Sequence, residues 1–436
     1  MNKSRFTISI PDFPGKGKHL IFNTRTQAQV IIDEELKAAI DAPPREPHSD
    51  QVSAAFSRLK KLGILVDEGT DEHAAIEEWF SKARNDSSVL RPTVLTTYAC
   101  NFACSYCVEE GVKAPVFMDR KTAEESVTFI QGKFREYGSR RIFLSFYGGE
   151  PLLNMPVIRT VARGMREFVD ANSIQYAFGI STNGSLLTRE IVEELKPLGL
   201  AGVKITLDGP REVHDHKRPF KNGKGSFDAI MANILSAIDL IDVEIGGNFD
   251  AENADSFPEM LDELAGLGLA PKIHKVIFKP ISPVPKDREG LVPSAELACA
   301  YSDPDAIRRI VELRRIALEK GFKVDAGVGA HICDLLMKRT SFNIDPEGFL
   351  YRCAGFVGHP EYRCGSIHSE EKDRFLGMEL WRRCSECPYV PLCGDGCILG
   401  AYVRFGDPLR LNCNKEYMEY LVMESLKVNY RHSRKG

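Results

Sequence analysis

The alternation of hydrophobic and polar positions repeats through the middle of the chain. From residue 92 to about residue 279, short apolar runs rich in β-branched residues alternate with longer stretches of helical spacing. This rhythm predicts βα units and a parallel sheet. The candidate strands cover residues 93–98, 142–147, 176–181, 203–207, 243–249 and 273–279. Six such units predict an α/β fold with a partial (β/α)6, TIM-like barrel.

A different pattern precedes the barrel. Residues 5–32 alternate apolar and polar positions in short runs, as half-buried strands do. Two amphipathic helices follow, with Asp33 as a candidate cap of the first and the second at about residues 51–62. The short run 64–67 then predicts a wing strand, and an acidic helix comes after it. This order resembles a small winged-helix-like module over residues 1–88.

The composition changes again after the barrel. A proline-rich connection at residues 280–285 precedes a predicted helix at about 305–319. Residues 333–413 hold eight of the twelve cysteines and few long apolar runs, so this part is expected to need metal for its stability. A final amphipathic helix covers about 415–428. The predicted domains are residues 1–88, the barrel 89–285, a bridging region 286–332, a cysteine-rich domain 333–415, and a C-terminal helix and basic tail 416–436.

Charge and targeting signals limit the functional classes to which the protein can belong. With 57 basic and 61 acidic groups, the net charge of -4 gives no general attraction to nucleic acid or to anionic membranes. The polar amino terminus has no apolar signal core, and no run of about 18 apolar residues is present. We therefore expect a cytoplasmic protein without membrane or nucleic-acid partners. Cytoplasmic cysteines stay reduced, so their clustering indicates metal binding.

The strongest chemical signal is a group of three cysteines just after the first candidate strand. Cys100, Cys104 and Cys107 have C-x3-C-x2-C spacing, and barrel enzymes place their chemistry in loops after the strands. Thiolates are the usual ligands of iron–sulfur clusters, and three thiolates leave one iron of a four-iron cluster open. A structural zinc site is the alternative, but it generally has four closed ligands.

This spacing, with Tyr106 directly before the last cysteine, resembles the signature of the radical S-adenosylmethionine (SAM) enzymes. The resemblance implies that the open iron chelates the amino and carboxylate groups of SAM. An electron from the cluster then cleaves SAM to a 5'-deoxyadenosyl radical, which abstracts hydrogen from the substrate.

Further motifs recur after the following strands, where glycines let the backbone approach a ligand closely. Gly148-Gly149-Glu150 resembles the family's GGE motif, which implies contact with the SAM amino group. The segments 181–184 and 206–210 and an arginine at position 218 resemble SAM contacts of relatives that carry a SPASM extension. The expected cofactor-binding residues are Gly148, Gly149, Glu150, Ser181, Asn183, Asp208, Arg218 and Tyr106. His214 and His216 are expected to be packing or hydrogen-bonding groups.

The C-terminal cysteines resemble the SPASM pattern over nearly its whole length. Their spacing is C-x2-C-x5-C-x3-C from residue 384, with a C-x14-G-x4-C segment upstream and one cysteine downstream. The resemblance implies two auxiliary 4Fe–4S clusters, and therefore three in total. The first would be held by Cys333, Cys353 and Cys397, and the second by Cys384, Cys387, Cys393 and Cys413. Either Cys364 is the fourth ligand of the first cluster, or one iron stays open for substrate. A zinc ribbon at residues 384–397 is the alternative.

Auxiliary clusters are suited to accept an electron from a substrate radical, which favours a net oxidation. SPASM relatives include maturases that form thioether or carbon–carbon cross-links in ribosomally made peptides, and anaerobic sulfatase maturases that form formylglycine. The latter carry an Asp directly after the cysteine that matches Cys353, whereas here Ala354 cannot take a proton. We therefore predict a peptide maturase. In peptide-modifying relatives a winged-helix-like module can bind a leader peptide by strand addition, although a simple cap on the barrel is equally compatible.

The expected partners are a precursor peptide and an electron donor of the flavodoxin or ferredoxin type. A multi-cluster electron carrier and an enzyme that acts on a small molecule such as a tetrapyrrole are the alternatives. No catalytic acid or base is identifiable from the spacing of residues. Met118, Tyr147, Phe249 and the corner at Lys279 and Pro280 are candidates either for the cavity lining or for the core.

Overall fold

The computed structural model describes residues 1–42, 50–107, 115–281, 304–329, 333–370, 373–384, 386–394 and 396–434. Most of the predicted proline-rich connection and residues 286–303 of the predicted bridging region lie outside the described residues. Within the described part, no helix is both long enough and apolar enough to cross a membrane.

The N-terminal module combines two small antiparallel sheets with helices. Its strands are β1 Asn2–Lys3, β2 Thr7–Ile10, β3 Lys18–Asn23, β4 Gln29–Asp33 and β5 Leu65–Val66. Its helices are α1 Glu34–Asp41, α2 Asp50–Lys61 and α3 Glu72–Asn85. Asp33 caps α1 as predicted, because its carboxylate accepts a hydrogen bond from Leu36 N at 3.0 Å. The predicted wing strand is the two-residue β5, which pairs with β1.

Six parallel strands and the helices between them follow, as predicted. The strands are β6 Val89–Leu95, β7 Arg141–Tyr147, β8 Gln175–Thr182, β9 Leu200–Thr206, β10 Asp242–Phe249 and β11 Lys275–Pro280. The helices are α4 Arg120–Tyr137, α5 Met155–Asn172, α6 Arg189–Leu195, α7 Arg211–Lys217, α8 Phe227–Ala237 and α9 Phe257–Gly266. The predicted bounds of the first strand, 93–98, were wrong, because the strand spans Val89–Leu95 and the chain beyond it turns away, so that Tyr98 N donates to Val116 O at 3.0 Å rather than to a barrel strand.

The C-terminal region extends the barrel sheet. Strand β12 Ser341–Ile344 lies parallel to β6, and the antiparallel strands β13 Phe349–Tyr351, β14 Arg363–Ser366 and β15 Ser369–Glu370 continue from it. The helices are α10 Pro304–Glu319, α11 Asp334–Met337, α12 Val390–Cys393, α13 Ile398–Phe405 and α14 Lys415–Ser433. α10 packs on β11 and on α14, so it serves as the helix of the sixth βα unit. α14 is longer than the predicted helix at 415–428.

Alternation along the strands divides the barrel into an outer apolar face and an inner polar face. Outward side chains such as Phe146, Ile180 and Ile245 are buried against the helices. The N-terminal module is in turn held against the C-terminal region by the buried, stacked rings of Phe80 and Trp381, whose centroids are 4.4 Å apart. The barrel, its sheet extension and the module therefore share continuous packing.

Candidate functional site

A cavity of about 310 Å³ lies among the inward-facing residues of the barrel and the loops that follow its strands. Such loops carry the chemistry of barrel enzymes. The cavity is lined by Thr93, Cys100, Cys104, Tyr106, Cys107, Ser145, Tyr147, Gly148, Gly149, Ser181, Thr182, Asn183, Lys204, Thr206, Arg218, Lys279, Leu335, Asn343 and Ala354. Leu335, Asn343 and Ala354 belong to the C-terminal region, so the barrel and that region form the cavity together.

All three cysteines of the predicted cluster site line this cavity. Their loop is held by backbone hydrogen bonds, from Ala103 N to Pro219 O at 2.9 Å and from Ser105 N to Lys217 O at 3.1 Å. The Cys100 thiol accepts a hydrogen bond from Phe102 N at 3.4 Å. Burial raises the pKa of the Cys100 thiol. An iron centre would offset the cost of ionising this buried thiol, because bound metal stabilises thiolates.

The glycine pair fits against the backbone of the cysteine loop. Gly149 N donates to Thr97 O at 3.0 Å, and Glu150 N donates to Ala99 O at 2.8 Å. A Cβ atom at Gly148 would lie 2.3 Å from Thr97 O, and one at Gly149 would lie 2.4 Å from Ala99 O. Any side chain at these two positions would therefore displace the loop that carries Cys100.

Glu150 lies behind the cavity wall and is completely buried. Its carboxylate accepts hydrogen bonds from Thr182 Oγ1 and Asn183 N, both at 2.7 Å, and from Leu152 N at 3.0 Å. Burial raises the pKa of Glu150 to about 6, although these hydrogen bonds favour the charged form. Glu150 thus joins the glycine loop to the end of β8, and its predicted contact with SAM stays a prediction.

Asp208 is likewise buried behind the wall, where it orients two residues that do line the cavity. Tyr106 Oη donates to Asp208 Oδ2, and Arg218 Nη1 lies 3.7 Å from the same oxygen. Arg218 also donates to Tyr106 Oη. Asn248 N donates to Asp208 Oδ1 at 2.8 Å. The arginine that the sequence analysis assigned to SAM is therefore fixed against the cluster loop through Tyr106.

His214 is a buried structural group, as expected from the sequence. Its Nδ1 accepts a hydrogen bond from Asp208 N at 3.2 Å, and its Nε2 lies 3.1 Å from Ser226 Oγ. Ser226 Oγ in turn donates to Arg218 O at 2.7 Å. Burial lowers the pKa of His214 well below its ordinary value, so the ring stays neutral and supports the backbone of Asp208 and Arg218.

The C-terminal cysteines fall into two groups. A small cavity is lined by Cys384, Cys387, Cys393 and Cys413, the four that the resemblance assigned to one cluster. Burial raises the pKa of the Cys353 thiol, and the neighbouring Cys397 and Cys333 raise it further. Four thiols around one cavity suit a 4Fe–4S cluster, and the expected ligand sets stay predictions. Over the described residues, no three His, Cys, Asp or Glu side chains have the spacing of a single metal ion.

Cys364 has a different environment from these two groups. It lines a separate cavity of about 140 Å³ together with Arg352 and Asp373. Burial and the Asp373 carboxylate raise the pKa of Cys364 to about 12. Cys364 nevertheless packs against the same hydrophobic cluster as Cys353 and Cys397, and both alternatives for the first auxiliary cluster, ligation by Cys364 and an open iron, stay predictions. Ala354, which follows Cys353, lies on the wall of the main cavity.

Several cavity residues were missed or misplaced by sequence reasoning. Lys204 and Thr206 alternate with buried Val203 and Ile205 on β9, and this alternation was the available signal for an inward polar face. Among the candidate lining residues, Tyr147 and Lys279 do line the cavity. For Met118, Phe249 and Pro280 the core alternative holds, because all three are buried.

The donor set fits an iron–sulfur cluster with SAM. Three thiols, two glycines with close backbone approach, one fixed arginine and the Ser181 hydroxyl surround a cavity of ligand size. The cysteines would hold the cluster, and Arg218 is placed to bind a carboxylate. The cavity therefore combines the groups that both cofactors require.

Residues 94–264 match the family model described as the Radical SAM superfamily. An uncharacterized protein of Methanocaldococcus jannaschii is 30% identical over 46% of this chain and 65% of its own length. Fe-coproporphyrin III synthase of Methanosarcina barkeri is 30% identical over 55% of each chain. Mycofactocin maturase MftC of Mycolicibacterium smegmatis is 27% identical over 70% of this chain and 77% of its own. The matched part of this chain thus spans about half to two thirds of the length of the first two relatives.

Solved structures show the same fold. Native anSMEcpe with bound AdoMet and Cp18Cys peptide superposes with a TM-score of 0.61 at 16% identity, covering 79% of this chain and 100% of that chain. Streptococcus suis SuiB bound to precursor peptide SuiA superposes with a TM-score of 0.54 at 13% identity, covering 95% of this chain and 99% of that chain. The second match thus extends over nearly the whole chain.

Proposed function

Because this chain contains a radical SAM domain at residues 94–264, which implies SAM and a 4Fe–4S cluster, we propose that it is an oxidative peptide maturase. Its reaction would join two residues of a ribosomally synthesised precursor peptide through a thioether or carbon–carbon bond. The observation that supports this best is the shared cavity: Cys100, Cys104 and Cys107 face it together with Ala354 of the C-terminal cysteine-rich region. The radical source and the auxiliary clusters would thus serve one substrate.

Cys100, Cys104 and Cys107 would hold a cluster that, together with SAM, would supply abstraction of one hydrogen atom from the peptide. The C-terminal cysteines would hold auxiliary clusters that would supply the acceptor for the electron released when a second hydrogen is lost as a proton. The chain's own residues prepare the site. The Gly148-Gly149 backbone and Glu150 hold the cysteine loop against β8. Tyr106 and Asp208 fix the Arg218 guanidinium in the cavity wall. The protein would hold three 4Fe–4S clusters in all and receive electrons from an external donor of the flavodoxin or ferredoxin type.

The N-terminal module supports recognition of a leader peptide. Within the described residues β4 pairs only with β3, so its other edge offers backbone groups for an added strand. Gln29 and Asp33 on this strand are exposed, and Val30 and Ile31 are half-buried. An extended leader segment could pair with this edge and place its apolar side chains beside Val30 and Ile31. SuiB, which was solved with its precursor peptide, shares the fold over 95% of this chain.

Two other functions, formylglycine formation and modification of a small molecule, are the alternatives to peptide cross-linking. A formylglycine-forming enzyme needs a general base beside the substrate, but Ala354 on the cavity wall has no proton acceptor. A small molecule such as a tetrapyrrole remains the second candidate, because Fe-coproporphyrin III synthase is 30% identical over 55% of this chain. The edge of β4 favours the peptide over the small molecule.

The test is anaerobic incubation of the reconstituted full chain with SAM, a strong reductant and a short peptide encoded beside its gene. We expect 5'-deoxyadenosine and a peptide that has lost about two hydrogens for each new bond, detected by mass spectrometry. Formation of 5'-deoxyadenosine would exclude a pure electron carrier. Abundant 5'-deoxyadenosine beside unchanged peptide would refute the peptide substrate, and conversion of coproporphyrin would establish the small-molecule alternative.

A further inference from the structure

Three neighbouring strands place uncharged polar side chains in one row on the inner face of the barrel. Thr93 on β6 lies opposite Ser145 on β7 and opposite Asn343 on β12 in the strand registers. All three side chains line the cavity that the cluster cysteines face. The next residue on each strand is buried in the core: Val94, Phe146 and Ile344. The polar row of Asn343, Thr93 and Ser145 is therefore a regular feature of the inner face.

Most hydrogen-bonding groups of the polar row have no partner in the described part of the protein. Asn343 Nδ2 donates to Tyr351 O at 3.1 Å, but no described residue donates to Asn343 Oδ1. The hydroxyl groups of Thr93 and Ser145 likewise make no hydrogen bond to a described residue. Asn343 is only 1% exposed, and buried polar groups are normally hydrogen-bonded. The row therefore offers one amide oxygen and two hydroxyl groups to a ligand in the cavity.

The polar row lies deeper in the barrel than the glycine pair that the resemblance assigns to SAM. Gly148 follows the end of β7, whereas Ser145 lies on the strand itself, about 10 Å before Gly148. At the other end of the row, the hydrogen bond from Asn343 to Tyr351 O joins it to β13, which leads to Cys353. The row thus extends from the strand that precedes the glycine pair to the strands that precede a predicted auxiliary-cluster ligand.

The dimensions of the polar row suit an extended peptide. Neighbouring strands lie about 4.8 Å apart, so side chains on three adjacent strands span roughly 10 Å. An extended peptide advances about 3.3 Å per residue, so about three residues match this span. One side-chain amide is too short to contact both ends of the row. The row is uncharged, and a peptide backbone offers the neutral N–H donors and C=O acceptors that complement it.

We propose that Asn343, Thr93 and Ser145 bind the backbone of the substrate peptide in an extended conformation. Asn343 Oδ1 accepts a hydrogen bond from a backbone N–H, and the two hydroxyl groups donate to backbone carbonyl oxygens. These bonds fix which part of the peptide faces the cysteine loop. This inference rests on the proposed peptide maturase function and adds that the cavity holds its substrate by the backbone, independently of the side chains.

The test measures binding of small probes to the reconstituted, SAM-loaded full chain by saturation-transfer NMR. The probes are acetyl-Ala-Ala-Ala-amide, its three analogues with one N-methylated alanine each, and propionamide as the equivalent of an Asn or Gln side chain. We expect the parent tripeptide to bind and at least one N-methyl analogue to bind roughly tenfold more weakly, because N-methylation removes the donor for Asn343 Oδ1. Equal binding of all four tripeptides, no binding at all, or equally tight binding of propionamide overturns the proposal.

Variants then assign the binding to the polar row. Thr93→Val and Ser145→Ala each remove one hydroxyl group and should weaken binding of the parent tripeptide by roughly fivefold. Thr93→Ser keeps the hydroxyl group and should bind like the wild type, which separates loss of the hydrogen bond from a change in packing. Thr128→Val is the matched control, because Thr128 is exposed on α4 and does not line the cavity. Equal binding by the wild type, Thr93→Val and Ser145→Ala overturns the assignment.

Release of 5'-deoxyadenosine by the wild type without peptide separates this inference from the proposed function. If none is released, the proposed function fails, and this inference fails with it. If 5'-deoxyadenosine is released but binding of the tripeptides does not depend on the polar row, only the inference is overturned. Equilibrium dialysis of SAM tests the other occupant of the cavity. Loss of SAM binding in parallel with loss of tripeptide binding in Thr93→Val and Ser145→Ala would assign the row to SAM and overturn the inference.

Discussion

Gly149→Ala is expected to displace the cysteine loop without unfolding the barrel. The added Cβ would lie 2.4 Å from Ala99 O and 2.5 Å from Tyr98 O, whereas real Cβ contacts stay beyond 3.0 Å. Both obstructing atoms belong to the backbone, so rotation of a side chain cannot relieve the contact. The loop that leads to Cys100 must move away from β7 and from the glycine pair.

The cost follows from the contacts that this movement breaks. The hydrogen bonds from Gly149 N to Thr97 O at 3.0 Å and from Glu150 N to Ala99 O at 2.8 Å would both lengthen. Overpacking and weakening of two hydrogen bonds together cost about 3 kcal/mol. The barrel strands need not move, so the change concentrates on the position of Cys100. A displacement of about 1 Å at a reacting site lowers the rate by roughly a hundredfold.

The assay is the rate of 5'-deoxyadenosine release by the anaerobically reconstituted protein, together with its iron content. We expect Gly149→Ala to lose most of this rate and part of the iron while far-ultraviolet circular dichroism is unchanged. Gly132→Ala in α4 is the matched control, because a Cβ there meets nothing within 4 Å. The same rate and iron content in Gly149→Ala and Gly132→Ala would refute the reasoning.

Three further predictions address stability and metal. Because the pKa of Glu150 is raised from 4.5 to about 6, its contribution to stability is present below pH 4.5 and lost as the pH rises through 6. Urea unfolding of the cluster-free protein should show that the stability difference between wild type and Glu150→Gln falls by about 2 kcal/mol from pH 4 to pH 7; a constant difference would contradict this. Trp381→Ala should lower the unfolding free energy in urea by about 3–5 kcal/mol, because Trp381 is 2% exposed and stacks on Phe80; half-buried Trp79→Ala is the control and should cost less. Cys413→Ser and Cys384→Ser should remove the same electron paramagnetic resonance signal and about four irons, whereas Cys397→Ser should remove a different signal. Loss of the same signal in all three variants would contradict the division of these cysteines into two groups.

Much of the fold and of the site could be predicted because its signals are local. Hydrophobic alternation located the six strands of the βα units, since a strand buried against helices needs apolar outward residues. The three-cysteine loop and the glycine pair were recognisable because each is a short contiguous segment that follows a strand. Their meeting in one cavity also followed from the sequence, because the carboxyl ends of parallel strands lie at one edge of the sheet.

The roles of the buried polar residues could not be read from the sequence. Glu150 and Asp208 occupy predicted motifs, yet both lie behind the cavity wall and hold other residues in place. The sequence also left open whether Cys364 is a cluster ligand, and its side chain lines a cavity separate from the main one. Spacing in the sequence shows which residues are near each other along the chain, whereas the burial and the orientation of a side chain depend on how distant segments pack.

The sequence by itself determined the barrel, the cysteine sites and the resemblance to radical SAM enzymes, since periodicity and short motifs are properties of neighbouring residues. Only the tertiary structure decided that β12 continues the barrel sheet beside β6 and brings Asn343 and Ala354 to the cavity. It also decided that Lys204 and Lys279 share that cavity with the cysteines. These contacts join segments that are far apart in the chain, and they exist only when the parallel strands close around a common interior.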